Sequence, residues 1–219
     1  MNYVFLILLC IALSIHLFHS WKDDKKKRLY TKPFLLLFII LYYIFTAEKI
    51  LPVLLAALIT SWIGDILLMP KGDKWFVTGG ISFLISHILF ITVYIPNVNF
   101  TKINWLLIIP LALVYVAISV LIIKAVIPHT PKDMLIPMLL YLFTNSTMNI
   151  FALMQLISSY STASLIAYIG AVLFFISDCS LYLVRYYKKK NIIFKKHFTV
   201  MLTYVLGELF ITQGILMIK

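Results

Sequence analysis

Charge is scarce in this chain: only 12% of its 219 residues are Asp, Glu, Lys or Arg, and just eight are acidic. Globular proteins carry roughly a quarter charged residues, so a water-soluble fold is excluded. Cysteine is almost missing as well. Cys10 and Cys179 both sit in apolar segments and form no CxxC pair, which excludes a disulfide framework and a thiolate metal site. There is no HExxH, no low-complexity tract and no repeat at periods of about 20–50 residues. No basic residue precedes the first apolar run, so that segment reads as a retained span rather than a cleaved signal.

What the chain has is hydrocarbon, at 63% hydrophobic residues and a mean hydropathy of +1.01. Eight apolar segments, at about 2–20, 33–48, 50–69, 75–95, 104–126, 134–157, 162–184 and 193–218, are bounded by charge, proline or short polar runs. The expected fold is therefore an all-α, polytopic integral membrane protein, an eight-helix transmembrane bundle forming one domain over 1–219. The net charge of +11 is distributed as a topology signal rather than as a nucleic-acid footprint. Sixteen of the 19 basic residues fall on the side holding the Lys22–Lys32 and Arg185–Lys196 segments; Lys49, Lys102 and Lys219 fall on the other. The positive-inside rule then places the basic loops in the cytoplasm and both termini outside. Trp21, Trp62, Trp75 and Trp105 stand near proposed span ends, where interfacial belts form.

An ionisable group inside a span costs at least about 2.5–3.5 kcal/mol, so each one is a candidate for function. They are few: Asp65 in span three, His87 in span four, Asp178 in span seven and Glu208 in span eight, with His16 and His19 near the inner end of span one. Asp65 precedes Pro70-Lys71 by five residues and Asp178 precedes Arg185 by seven, which puts both roughly 7–11 Å inside the cytoplasmic boundary. If spans three and seven are neighbours, the two carboxylates face each other across a polar cavity, one serving as acid and one as base. Each follows a small residue, in Gly64-Asp65 and Ser177-Asp178, permitting close helix approach. His87 reads deeper by several ångströms. Glu208, near the centre of span eight, is expected to be protonated or paired. Tyr141, Asn145 and Asn149 recur every four residues and project from one face of span six. Lys32-Pro33 sets a cation at the inner entrance of span two, placed to meet a lipid phosphate. His16 and His19, at i and i+3, could share a metal, but no accompanying ligand pattern supports one, and no metal is expected.

The order of Lys32-Pro33, Ser61-Trp62-Ile63-Gly64-Asp65-Ile66-Leu67-Leu68-Met69, Phe83-Leu84-Ile85-Ser86-His87-Ile88-Leu89-Phe90 and Phe174-Phe175-Ile176-Ser177-Asp178 resembles the YhhN family of lysoplasmalogenases. The resemblance runs from about residue 30 to 215 and includes Pro137 to Met148 and Thr203-Tyr204; it departs at Glu208, where the family commonly has Gln. It implies an eight-helix enzyme that hydrolyses the vinyl ether bond of lysoplasmalogens to a fatty aldehyde and a glycerophospho-alcohol. Asp65 and Asp178 would be the acid–base pair, in an order the sequence leaves open. His87, Tyr141, Asn145 and Tyr204 would support the cavity, and Lys32 would bind phosphate. No cofactor or protein partner is implied; the partners are a lysophospholipid substrate and membrane lipids, at the inner leaflet of a bacterial plasma membrane. Two other classes compete. In an ion- or proton-coupled transporter Asp65, His87, Asp178 and Glu208 would form a relay. An intramembrane aspartyl protease would need a GxGD motif, where this chain has Trp62-Ile63-Gly64-Asp65.

Overall fold

A computed structural model describes residues 3–187 and 192–218. Residues 188–191 and Lys219, which carry part of the basic count, lie outside the described residues. The described chain forms eight α-helices: α1 (Tyr3–Trp21), α2 (Lys25–Thr46), α3 (Pro52–Leu67), α4 (Asp73–Tyr94), α5 (Trp105–Val126), α6 (Lys132–Ser158), α7 (Thr162–Tyr186) and α8 (His197–Leu216). Seven are long and apolar enough to cross a membrane. The exception is α3: its 16 residues span about 24 Å, short of a hydrocarbon core of about 30 Å. Pro52 fixes its start at the first helical position, and the chain turns before α4 at Gly72, whose φ of 118° favours glycine.

The largest departure from the sequence reading is the start of α2, which begins at Lys25 rather than at 33. Asp24 caps it, its side chain accepting from the Lys27 amide at 3.2 Å, and this turns a basic loop into two helical turns. Pro33 therefore lies inside the helix, and Arg28 and Lys32 project from α2 one turn apart. α7 is capped by a reciprocal pair, Ser161 and Ser164.

Packing closes six of the helices into a ring. α2 packs on α3, α3 on α4, α4 on α6, α6 on α7, α7 on α8, and α8 returns to α2. α1 lies outside against α2 and α8, and α5 outside against α6 and α7. On α5, Leu106, Leu113 and Leu121 are exposed, as befits a helix facing acyl chains. The tightest seam is α7 on α8, where a β-carbon at Gly170 would stand 2.5 Å from the Ile211 nitrogen and one at Gly214 2.5 Å from the Ala167 nitrogen. Small residues let the two backbones touch, and without a hydrophobic driving force in lipid such contact is a main source of helix association. Tyr42 closes the ring between α2 and α8 by donating to Gln213 Oε1 at 2.6 Å. Trp62 ties α3 to α2 through Nε1, which donates to the Pro33 carbonyl at 2.8 Å.

Candidate active site

The ring encloses a cavity of about 410 Å³ bordered by both Asp65 and Asp178. α3 and α7, expected as possible neighbours, are instead opposite members of the ring. The two carboxylates therefore share a cavity without their helices packing together. The close approach expected at the small residues serves other pairs. A β-carbon on Gly64 would stand 2.7 Å from the Phe83 ring of α4, while Ser177 donates to the Val200 carbonyl of α8 at 2.9 Å.

The two aspartates have different surroundings. Asp65 is 2% exposed and has a permanent counter-ion: Lys32 Nζ lies 3.1 Å from Oδ1 and also donates to the Asp65 backbone oxygen at 3.2 Å. Asp65 Oδ2 has no hydrogen-bond partner among the described residues; the Tyr204 hydroxyl is its neighbour, outside bonding geometry. Lys32 thus borders the cavity as the sequence suggests, but its ammonium is turned to Asp65.

Asp178 is held by neutral donors. Its Oδ2 accepts from the Tyr141 hydroxyl and from Asn145 Nδ2, each at 2.7 Å. Asn149 Nδ2 in turn donates to Asn145 Oδ1 at 3.0 Å, which fixes the Asn145 amide with its NH2 toward the carboxylate. The stripe at every fourth residue of α6 therefore meets Asp178 through Tyr141 and Asn145, with Asn149 behind Asn145. Among the described lysines and arginines none makes an ion pair with it.

His87 completes this side. Its Nδ1 lies 2.6 Å from the Phe83 carbonyl, an oxygen that can only accept, so Nδ1 carries a hydrogen. Nε2 is left facing Asp178 Oδ2 at 3.4 Å. The extra depth read from the sequence does not separate them, and the ring is wedged between Tyr141 and Phe174. Tyr204 borders the cavity between the two aspartates' walls. Glu208 does not reach the cavity: one turn farther along α8, it is fully buried, and neither carboxylate oxygen has a hydrogen-bond partner among the described residues.

Arg28, absent from the sequence reading of the site, also borders the cavity, as does His16, which that reading sets at the inner end of span one. His16 donates through Nδ1 to Thr31 Oγ1 at 2.8 Å, since that hydroxyl spends its own hydrogen on the Arg28 carbonyl. The capping signal at Asp24 is what could have revealed Arg28, because it makes residues 25–32 helical and gives Arg28 and Lys32 a common face. Among the described residues no three His, Cys, Asp or Glu side chains come together as a metal site.

Comparison with known families places the molecule. The YhhN family matches residues 27–215, most of the chain, and the protein belongs to that family. No curated protein and no solved structure matches it.

Proposed function

We propose that this member of the YhhN family hydrolyses the vinyl ether bond of lysoplasmalogens, releasing a fatty aldehyde and glycerophosphoethanolamine or glycerophosphocholine. The observation that carries the reading is the unequal pair of aspartates on one cavity: Asp65 has the Lys32 ammonium beside it, and Asp178 has none. This asymmetry supports one ordering of the roles that the sequence leaves open. In that ordering Asp178 serves as the acid and Asp65, beside the Lys32 ammonium, as the base.

The chemistry then proceeds with each atom accounted for. Asp178 donates its proton to the alkenyl β-carbon, whose double-bond electrons form the new C–H bond, and positive charge develops on the α-carbon and the ether oxygen. Tyr141 and Asn145 donate to the carboxylate that Asp178 becomes, fixed in place before the charge appears. Asp65 faces the oxocarbenium ion, and as water attacks the α-carbon Asp65 takes the water's proton. The hemiacetal hydroxyl returns a proton to Asp178 while the C–O bond breaks, and Asp65 passes its proton to the departing glycerol oxygen. Both side chains end as they began. An acid and a carboxylate flanking an oxocarbenium ion is also how glycosidases work, by analogy of chemistry alone.

The cavity reaches the surface at Lys25, Lys71 and Gly72, on the basic side of the bundle. By the positive-inside rule this side faces the cytoplasm, so substrate enters from the inner leaflet of the plasma membrane. The test is fatty aldehyde release from alkenyl-lysophosphoethanolamine by purified protein, with an acyl-lysophospholipid as control. Aldehyde from the vinyl ether alone, lost in Asp65→Asn and in Asp178→Asn, supports the reading. Well-folded protein that releases none, and instead accumulates solute in proteoliposomes under a proton gradient, would replace it with a transporter.

A further inference from the structure

The mouth of the cavity is rich in cations, but most of them are engaged or in water. Lys32 is spent on Asp65. Arg185 lies 2.6 Å from Asp73 and stacks on the Phe76 ring at 3.8 Å. Lys25 and Lys71 are exposed. Arg28 is different: its side chain is only 10% exposed, and its Nη1 is buried without a hydrogen-bond partner among the described residues. Its one acidic contact is Asp23, 3.6 Å from Nη2, on a side chain that is 85% exposed. A guanidinium held this far out of water with an unused donor is costly unless an anion arrives to take it. Its planar fork matches the oxygens of a phosphate.

We propose that Arg28 is the phosphate-binding residue of the cavity, taking the phosphodiester of a single-chain lipid headgroup at the mouth. This inference rests on the hydrolase reading above, and the spacing fits it. Arg28 stands four residues of α2, a rise of about 6 Å, from Lys32, which touches Asp65. In a lysoplasmalogen the glycerol carbons hold the phosphorus roughly 6 Å from the vinyl ether, so one molecule reaches both places. With the phosphate on Arg28, the reactive bond lies between Asp65 and Asp178 and the chain is directed away from the basic mouth. The role that the sequence suggests for Lys32 thus falls to the residue one turn before it.

The experiment compares wild type, Arg28→Gln and Arg28→Lys as full chains in detergent. Aldehyde release is followed on alkenyl-lysophosphoethanolamine and on an alkenylglycerol that lacks phosphate, and binding is measured with the non-cleavable alkyl ether lysophosphoethanolamine. Arg28→Gln is expected to raise KM and the alkyl ether Kd by about tenfold to a hundredfold, the worth of one charge-assisted bond. kcat stays within about twofold. Turnover of the alkenylglycerol is unmoved, and Arg28→Lys recovers part of the loss. Unchanged KM and Kd in Arg28→Gln would overturn the proposal, as would an equal loss on both substrates, which would mark Arg28 as structural. Inorganic phosphate at constant ionic strength tells a lipid headgroup from a free anion: displacement of the alkyl ether by phosphate at concentrations comparable to the lipid would overturn the lipid assignment. If wild type releases no aldehyde, the hydrolase reading fails, yet the binding arm still judges Arg28.

Discussion

Replacing Lys32 by Met removes an ammonium while keeping an unbranched apolar stem of similar length, and it isolates the counter-ion of Asp65. The pair is 3.1 Å apart, with side-chain exposures of 14% for Lys32 and 3% for Asp65. At an effective dielectric of about 20 the gross attraction is about 5 kcal/mol. Breaking a buried pair from one side costs about 3–5 kcal/mol, since the remaining charge is left unsatisfied. Asp65 is 2% exposed and makes no second ion pair among the described residues, so Lys32→Met should cost about 3 kcal/mol, or a melting temperature lowered by about 10 °C for a chain of this size. Asp65→Asn should cost less, because the lysine can turn toward the open mouth. Combining the two removes both charges and should restore most of the lost stability. Aldehyde release should stay absent in the double variant, because the base is gone. Tryptophan fluorescence during thermal unfolding in detergent reads the first quantity, and a dehydrogenase-coupled aldehyde assay the second. A double variant as unstable as Lys32→Met, or one that still turns over, would refute the argument.

Tyr141→Phe removes one of two hydrogen bonds on Asp178 Oδ2 and should lower kcat about tenfold to a hundredfold with KM nearly unchanged, measured at steady state. Gly170→Val should prevent recovery of folded protein, because its β-carbon meets backbone of α8 at 2.5 Å, whereas Gly80→Ala, with nothing within 4 Å, should keep its melting temperature. Glu208→Gln should leave aldehyde release within about threefold of wild type, since the Glu208 carboxyl makes no hydrogen bond with a described residue and does not line the cavity. A large loss of activity there would argue for a proton relay through α8.

Much of the arrangement was legible wherever it depends on local spacing. Charge and apolar periodicity locate the helices to within a turn, apart from the starts of α2 and α8. The i, i+4 stripe on span six anticipated one face, and Tyr141 and Asn145 both donate to Asp178 with Asn149 behind Asn145. Equal depth of Asp65 and Asp178 brought them to one cavity, although as opposite members of a ring rather than neighbours. What stayed hidden is pairing between distant segments. Lys32 and Asp65 are 33 residues apart, and no local pattern states that one ammonium turns inward while Arg28, a turn away, keeps a free donor. The basic run at 25–32 was read by composition as a loop. One aspartate side chain at position 24 outweighed that composition, because capping an amide supplies the partner that the first turn lacks. Trp62, placed by the sequence in an interfacial belt, spends its N–H on a neighbouring helix.

The ring has an implication for how the protein is made. Its first member is α2 and its last is α8, and the hydrogen bond that joins them, Tyr42 to Gln213, links residues 171 positions apart. Synthesis delivers helices from the N-terminus onward. Throughout translation, therefore, the wall between α2 and α7 is missing, and the groups around Asp65 and Asp178 stand beside an open flank. Only the arrival of α8 supplies that wall, carrying Tyr204 and Val200 to the cavity's edge. A chain that stops before α8 would leave Asp65 and Asp178 beside an open flank. The cavity that holds the two aspartates is thus closed only when α8 is in place.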